Sequence, residues 1–138
     1  MGVEENKAND LRFWNEAMSQ HRLEVFDEVF APDFVDHDAL PGQGPGVEGV
    51  RALMAEFWAG LPDLTYKVED LIAVDDRVVV RWSAVGTHEG EIWGAPPSGK
   101  TVNGKGITIN RYEDGKIVES WTEYDTARFM QDLGLLPG

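Results

Sequence analysis

The chain has 138 residues, enough for one domain with a real core, and 42% of them are hydrophobic, within the globular range. Lys and Arg number 12 against 25 Asp and Glu, a formal net charge of −13, which argues against a nucleic-acid surface and against binding to anionic membranes. There is no cysteine, so thiol catalysis, disulfides and thiolate metal sites are excluded. Residues 1–10 are polar and lack the apolar centre of a signal peptide, and no apolar run reaches membrane-spanning length. A cytoplasmic protein is the expectation.

Residues 1–8 are expected to fray, leaving a single domain over residues 9–138. Asn9 or Asp10 can cap a helix to about residue 20, in which Leu11, Trp14, Met18 and His21 recur at helical spacing. A second short helix is predicted over residues 23–30, ended by Ala31-Pro32. Phe34-Val35-Asp36-His37-Asp38 reads as a brief extended segment. His37 stands between two acids, where a carboxylate would orient the imidazole and raise its pKa; a solvated loop histidine is the other reading. After a loop rich in Gly and Pro, a helix over residues 47–59 presents Val50, Leu53, Met54, Phe57 and Trp58 on one side. Gly60 and Pro62 stop it.

From Leu64 the period changes to two. Strands are predicted over residues 65–74 and 77–87, joined at Asp75-Asp76. The second contains Val78-Val79-Val80-Arg81-Trp82 and is apolar enough to suggest cover on both faces. Arg81 is therefore conspicuous, because its guanidinium must find a carboxylate, a ligand oxygen or a water-facing edge; Glu119 and Asp125 are candidate partners. Gly86 is placed for a bulge that would re-aim His88. Residues 88–100 are turn-rich yet carry Ile92 and Trp93, the make-up of a lid over a cavity mouth or of a wide connection between neighbouring strands.

A strand over residues 101–112 and a turn at Glu113-Asp114-Gly115 lead to the most informative stretch, residues 116–125. Its odd positions, Ile117, Glu119, Trp121, Glu123 and Asp125, share one face; Val118, Ser120, Thr122 and Tyr124 share the other. An indole among carboxylates reads as a pocket wall. An acid beside an indole in a dry cavity has a raised proton affinity and can exchange a proton with a ligand near neutral pH. Asp125 also suits the N-cap of the helix predicted over residues 126–133. Helices first, then four antiparallel strands, then a short helix make an α+β fold with helices on one face of a curved sheet.

Several blocks together resemble the SnoaL-like polyketide cyclase family: Val80-Arg81-Trp82, Gly86-Thr87-His88-Glu89-Gly90-Glu91, Gly94 to Lys100, and Asp114-Gly115-Lys116-Ile117-Val118-Glu119-Ser120-Trp121 through Asp125. Phe34-Val35-Asp36-His37 and Met130-Gln131-Asp132-Leu133-Gly134 also match, so the resemblance spans residues 11–134. It implies an NTF2-like cone, a strongly bent sheet wrapped on the N-terminal helices around a deep apolar pocket. It also implies ring closure by intramolecular aldol condensation, without metal or organic cofactor. In that scheme Asp125 is the base, His37 and His88 hydrogen-bond the enolate oxygen, and Arg81 and Glu119 organise the polar end. Trp14, Trp58, Trp93 and Trp121, with Tyr124, line a pocket for a polycyclic or polyketide-like ligand. Three positions depart from the family pattern: Trp93 replaces a smaller residue, Ser98 a threonine, and Thr122 lies where many relatives have an acid.

Other readings remain beside this one. A non-catalytic carrier needs the aromatic walls alone. A metal site would draw on His37, His88 and Asp125, though these lack a compact ligand motif. An isomerase or an epoxide hydrolase is compatible with the same fold, the latter using Arg81 and Asp125. Val79, Val85, Ile107 and Ile109 are expected to form a sheet-to-sheet seam in a homodimer or homotetramer.

Overall fold

The computed structural model describes residues 2–137. Helix α1 (Val3–Arg12) runs directly into a π-helical segment (Phe13–Ser19). The chain is thus helical from Val3, where a frayed end was expected. Polar residues anchor it: Asn6 and Asp10, one turn apart, are 3% and 0% exposed. Phe13, Trp14, Ala17 and Met18 continue the buried stripe through the wider π turn, a distortion that occurs frequently at functional sites. Then follow α2 (Leu23–Val29), β1 (Phe30–Asp36), α3 (Gly46–Gly60), β2 (Thr65–Val74), β3 (Arg77–Thr87), β4 (Thr101–Glu113), β5 (Lys116–Tyr124) and α4 (Thr126–Asp132).

The sheet has five strands in the order β1-β5-β4-β3-β2. Where a brief extended segment was expected, β1 is a seven-residue strand lying parallel to β5; the other pairings are antiparallel. Register shifts at Val68/Asp70 and Arg111/Tyr112 bend the sheet, as bulges do. The edge strand β2 is tied to the N-terminal helix by Ser19, whose hydroxyl accepts from Tyr66 N at 2.8 Å and donates to Tyr66 O at 3.1 Å.

Rows of residues in register define two faces. Toward the helices stand Val78–Asn110–Ser120, Val80–Thr108–Thr122 and Trp82–Gly106–Tyr124. On the other side stand Ile72–Val79–Ile109–Trp121 and Asp70–Arg81–Ile107–Glu123. The outer face is open: Ile72 is 60% and Ile107 47% exposed. The cover predicted on both sides of β3 is therefore present only on the inner side, where Val78 and Val80 are fully buried. Gly106 has a specific task there. A Cβ at this position would lie 2.7 Å from the Trp82 indole, so only glycine lets that ring lie against β4. Among the described residues no helix is long and apolar enough to cross a membrane.

Candidate functional site

Between the inner face and the helices lies a cavity of about 160 Å³, similar in size to engineered apolar cavities of about 150 Å³ that take up benzene. The helices contribute Trp14, Met18 and Phe57 to its wall, and the sheet contributes Tyr66, Trp82 and Tyr124. These rings form a connected box, with Trp82 centred 5.8 Å from Trp14, 5.3 Å from Tyr66 and 6.4 Å from Tyr124. The cavity opens past Leu40, Gln43, Leu53 and Tyr124 into a wider surface depression that also touches Trp93 and Met130.

Polar groups stand at defined points of this apolar wall. On the sheet, Trp82 Nε1 donates to Thr108 Oγ1 at 3.0 Å, and that hydroxyl shares a hydrogen bond of 2.9 Å with Thr122 Oγ1. Burial pushes the Tyr66 and Tyr124 hydroxyls above the usual phenol range, so both stay neutral donors. The Tyr124 hydroxyl is buried without a protein partner. At the mouth, Asp36 accepts from Asp38 N and from Gln43 Nε2, each at 3.0 Å. Asp38 Oδ2 accepts from Thr122 N at 2.7 Å, continuing the β1–β5 ladder with a side chain. Asp36 and Asp38 are the carboxylates among the lining residues, which include no Lys, Arg or His.

Behind the wall sits Asp10, with no exposed surface. Its Oδ1 accepts from Asn110 Nδ2 at 2.9 Å and from the Tyr112 hydroxyl at 2.6 Å, and its Oδ2 from Trp14 Nε1 at 3.1 Å. Burial raises its pKa, opposed by the three hydrogen bonds. Trp14 and Asn110 are also cavity wall, so this one carboxylate braces two of its surfaces.

The residues expected to act in catalysis do not meet here. Asp125 caps α4, accepting from Arg128 N at 3.1 Å, and borders a surface groove with Lys67, Lys105 and Arg128 instead of the cavity. The reason is position: it ends the strand and begins a helix whose first N–H groups need an acceptor. His37 is on the outer face, stacked on Trp121 at 4.8 Å and hydrogen-bonded to Glu119 Oε1 at 3.1 Å. Glu119 also pairs with Arg111, and these two contacts, Arg111 first, hold its carboxyl below the usual range. Arg81 faces outward and pairs with Asp70 across the strands at 2.6 Å. His88 is fully buried beneath residues 88–100, its Nδ1 3.2 Å from Ser98 Oγ, and it does not line the cavity. His37, His88 and Asp125 are thus not gathered into a metal site, and Arg81, paired with Asp70, is not brought to Asp125 at the α4 cap.

Of the aromatic residues, Trp14 and Tyr124 line the cavity. Trp93 borders the outer depression and packs edge-on against Phe57 at 5.4 Å. Trp58 stacks on His21 at 4.6 Å, away from the cavity. Trp121 lies on the outer face, where Arg77 sits over it at 5.1 Å. The face of β5 that meets the cavity is therefore the one with Ser120, Thr122 and Tyr124. Sequence alternation misled here because a wall that leaves room for a ligand carries small polar residues and resembles a solvent face. The pair Gly104–Gly106 in β4, placed beside Trp82, is the signal that marks the hollow side.

A profile of the family described as SnoaL-like polyketide cyclase matches residues 9–133. Among proteins with curated descriptions none matches the sequence. Solved structures do. AclR of Streptomyces galilaeus, proposed to be a hydroxylase, superposes with a TM-score of 0.88 at 29% identity, over 99% of this chain and 85% of that one. TsrD of Streptomyces laurentii gives 0.87 at 26% identity, over 99% of both chains. IdmH of Streptomyces antibioticus, proposed to be a polyketide cyclase, gives 0.81 at 32% identity, over 94% of this chain and 98% of that one. With a match across nearly the whole chain and the fold to accompany it, the chain belongs to the SnoaL-like polyketide cyclase family.

Proposed function

We propose that the protein binds a small polyketide-like ring compound in the inner cavity and moves a proton from a carbon next to a carbonyl, with Asp38 as the base. The observation that carries this is the lining itself: an aromatic box whose carboxylates are Asp36 and Asp38, both at the mouth. Asp36 has a donor on each oxygen, whereas Asp38 is held through Oδ2 alone, which leaves Oδ1 for a ligand. In the aldol step Asp38 takes the carbon-bound proton, and the enolate carbon attacks a second carbonyl to form the C–C bond. The resulting alkoxide then recovers the proton. The neutral phenols of Tyr66 and Tyr124 are the donors suited to the developing oxyanion.

A readout independent of the natural substrate is deuterium uptake at the α-carbon of 2-tetralone in D2O, followed by NMR. Wild-type protein should accelerate exchange, and Asp38→Asn should lower it by about 10²-fold or more, the usual weight of a general base, with 2-tetralone still bound. Exchange at the buffer rate in the wild type would contradict the catalytic reading. A non-catalytic carrier is the second reading in that event, since the aromatic box of Trp14, Tyr66, Trp82 and Tyr124 suffices to hold a ring compound. The outer sheet face with Val79, Val85, Ile107 and Ile109, of which Val85 and Ile107 are 45% and 47% exposed, is proposed to pair with a second copy in a homodimer.

A further inference from the structure

Asn110 lines the cavity, yet its amide is not free to turn. An ionised carboxylate only accepts hydrogen bonds, so the NH2 side of the amide must face Asp10, as the 2.9 Å contact from Nδ2 has it. Three donors, Trp14 Nε1, Asn110 Nδ2 and the Tyr112 hydroxyl, are placed on Asp10; they favour its charged form and oppose the burial that raises its pKa. Tyr112 is held as a neutral donor by its own burial and by Asp10. The amide oxygen of Asn110 is left on the opposite side. Among the described residues no donor reaches it, and it is not one of the polar atoms sealed from contact. The open space it touches is the cavity.

We infer that the cavity receives its ring ligand with a phenol or enol O–H directed at Asn110 Oδ1, and that Asp10 is the positioning residue that sets this preference by fixing the amide. The inference rests on the cavity being the ligand site, and it adds the polarity of the ligand's buried end. An acceptor-only group there, an ether or a ketone, would face a lone pair. Deprived of the Asp10 carboxylate, Asn110 can turn its NH2 inward, and the preference should fall away. Asp10 touches no ligand in this arrangement; it acts through the amide.

The test compares 2-naphthol with 2-methoxynaphthalene, which differ at that end by the donor, by calorimetry at pH 8. Wild-type protein should bind the naphthol about three- to tenfold more tightly, the range set by one net hydrogen bond. Asp10→Asn should bring the two within twofold. A merely structural loss would weaken both probes together and leave their ratio alone, which would overturn the assignment to Asp10. If Asp10→Asn fails to fold, Asn110→Leu removes the acceptor directly and should abolish the preference; a ratio unchanged in that variant overturns the inference. Equal affinities in the wild type overturn it as well, while the cavity reading stands. Binding of neither probe overturns the cavity reading and this inference together.

Discussion

Gly106→Ala probes the contact on which the hollow depends. The added methyl would lie 2.6 Å from Glu123 O, 2.7 Å from Trp82 Cζ2 and 2.7 Å from Tyr124 Cβ. All three are well inside van der Waals contact, and two of them belong to β5, one a backbone oxygen, so both the indole and β5 must shift. Overpacking of this kind costs about 1–3 kcal/mol, and the upper half of that range applies because three neighbours are hit at once. Unfolding entropy of about 2.1 cal/mol/K per residue gives about 0.29 kcal/mol/K for this chain, so about 2–3 kcal/mol lowers Tm by about 7–10 °C. Displacement of Trp82 into the cavity should also weaken binding of 2-tetralone. Gly104→Ala is the comparison: its methyl would meet Trp82 and Ala84 at 3.6 and 3.7 Å, ordinary contact, and removal of glycine from a strand stabilises by about 0.4–1 kcal/mol. Calorimetric melts of both variants decide the matter. Gly106→Ala within 1 °C of the wild type would refute the claim that glycine makes room for the indole.

Asp125→Ala should cost about 1 kcal/mol through loss of the α4 cap and leave 2-tetralone exchange intact; loss of exchange in the folded variant would return Asp125 to the chemistry. Glu119 gives a pH signature. Its carboxyl titrates below the usual range because Arg111, and then His37, favour the charged form. Its contribution to stability is therefore present above the ordinary glutamate pKa of about 4.3 and is lost as pH falls through its lowered folded value. Urea midpoints between pH 6 and 3 should decline less steeply for Glu119→Gln than for the wild type, and parallel curves would contradict the pairing. Light scattering at micromolar concentration should give twice the chain mass, and a monomer would contradict the proposed outer-face dimer.

The sheet and most helices were legible because their periods are clean: the strands from Thr65 to Tyr124 and the helix around Leu53 and Phe57 fall where alternation and spacing put them. The start of α1 was not, since burial of Asn6 and Asp10 depends on what surrounds them and not on their polarity. The parallel strand β1 was only half visible, because its pairing with β5 joins segments about 85 residues apart in sequence and leaves no local mark. The site was hardest. Trp121 and Asp125 drew attention as a large aromatic and an acid on one strand face, but that face looks outward, with Ile109 and Val79 beside it. Ser120 and Thr122 pass for solvent-facing residues until the sheet curls over them. Asp10 was legible only as a cap, because its three donors come from Trp14 on its own helix and from β4, 100 residues away.

The central claim is that ligand meets the even-numbered face of β5 and the box around Trp82. Proton–nitrogen spectra of the five tryptophan indoles during titration with 2-tetralone test it most directly. The account predicts that the Trp14 and Trp82 indole signals move together while that of Trp121 stays fixed. Movement of Trp121 with Trp14 and Trp82 unchanged would contradict it.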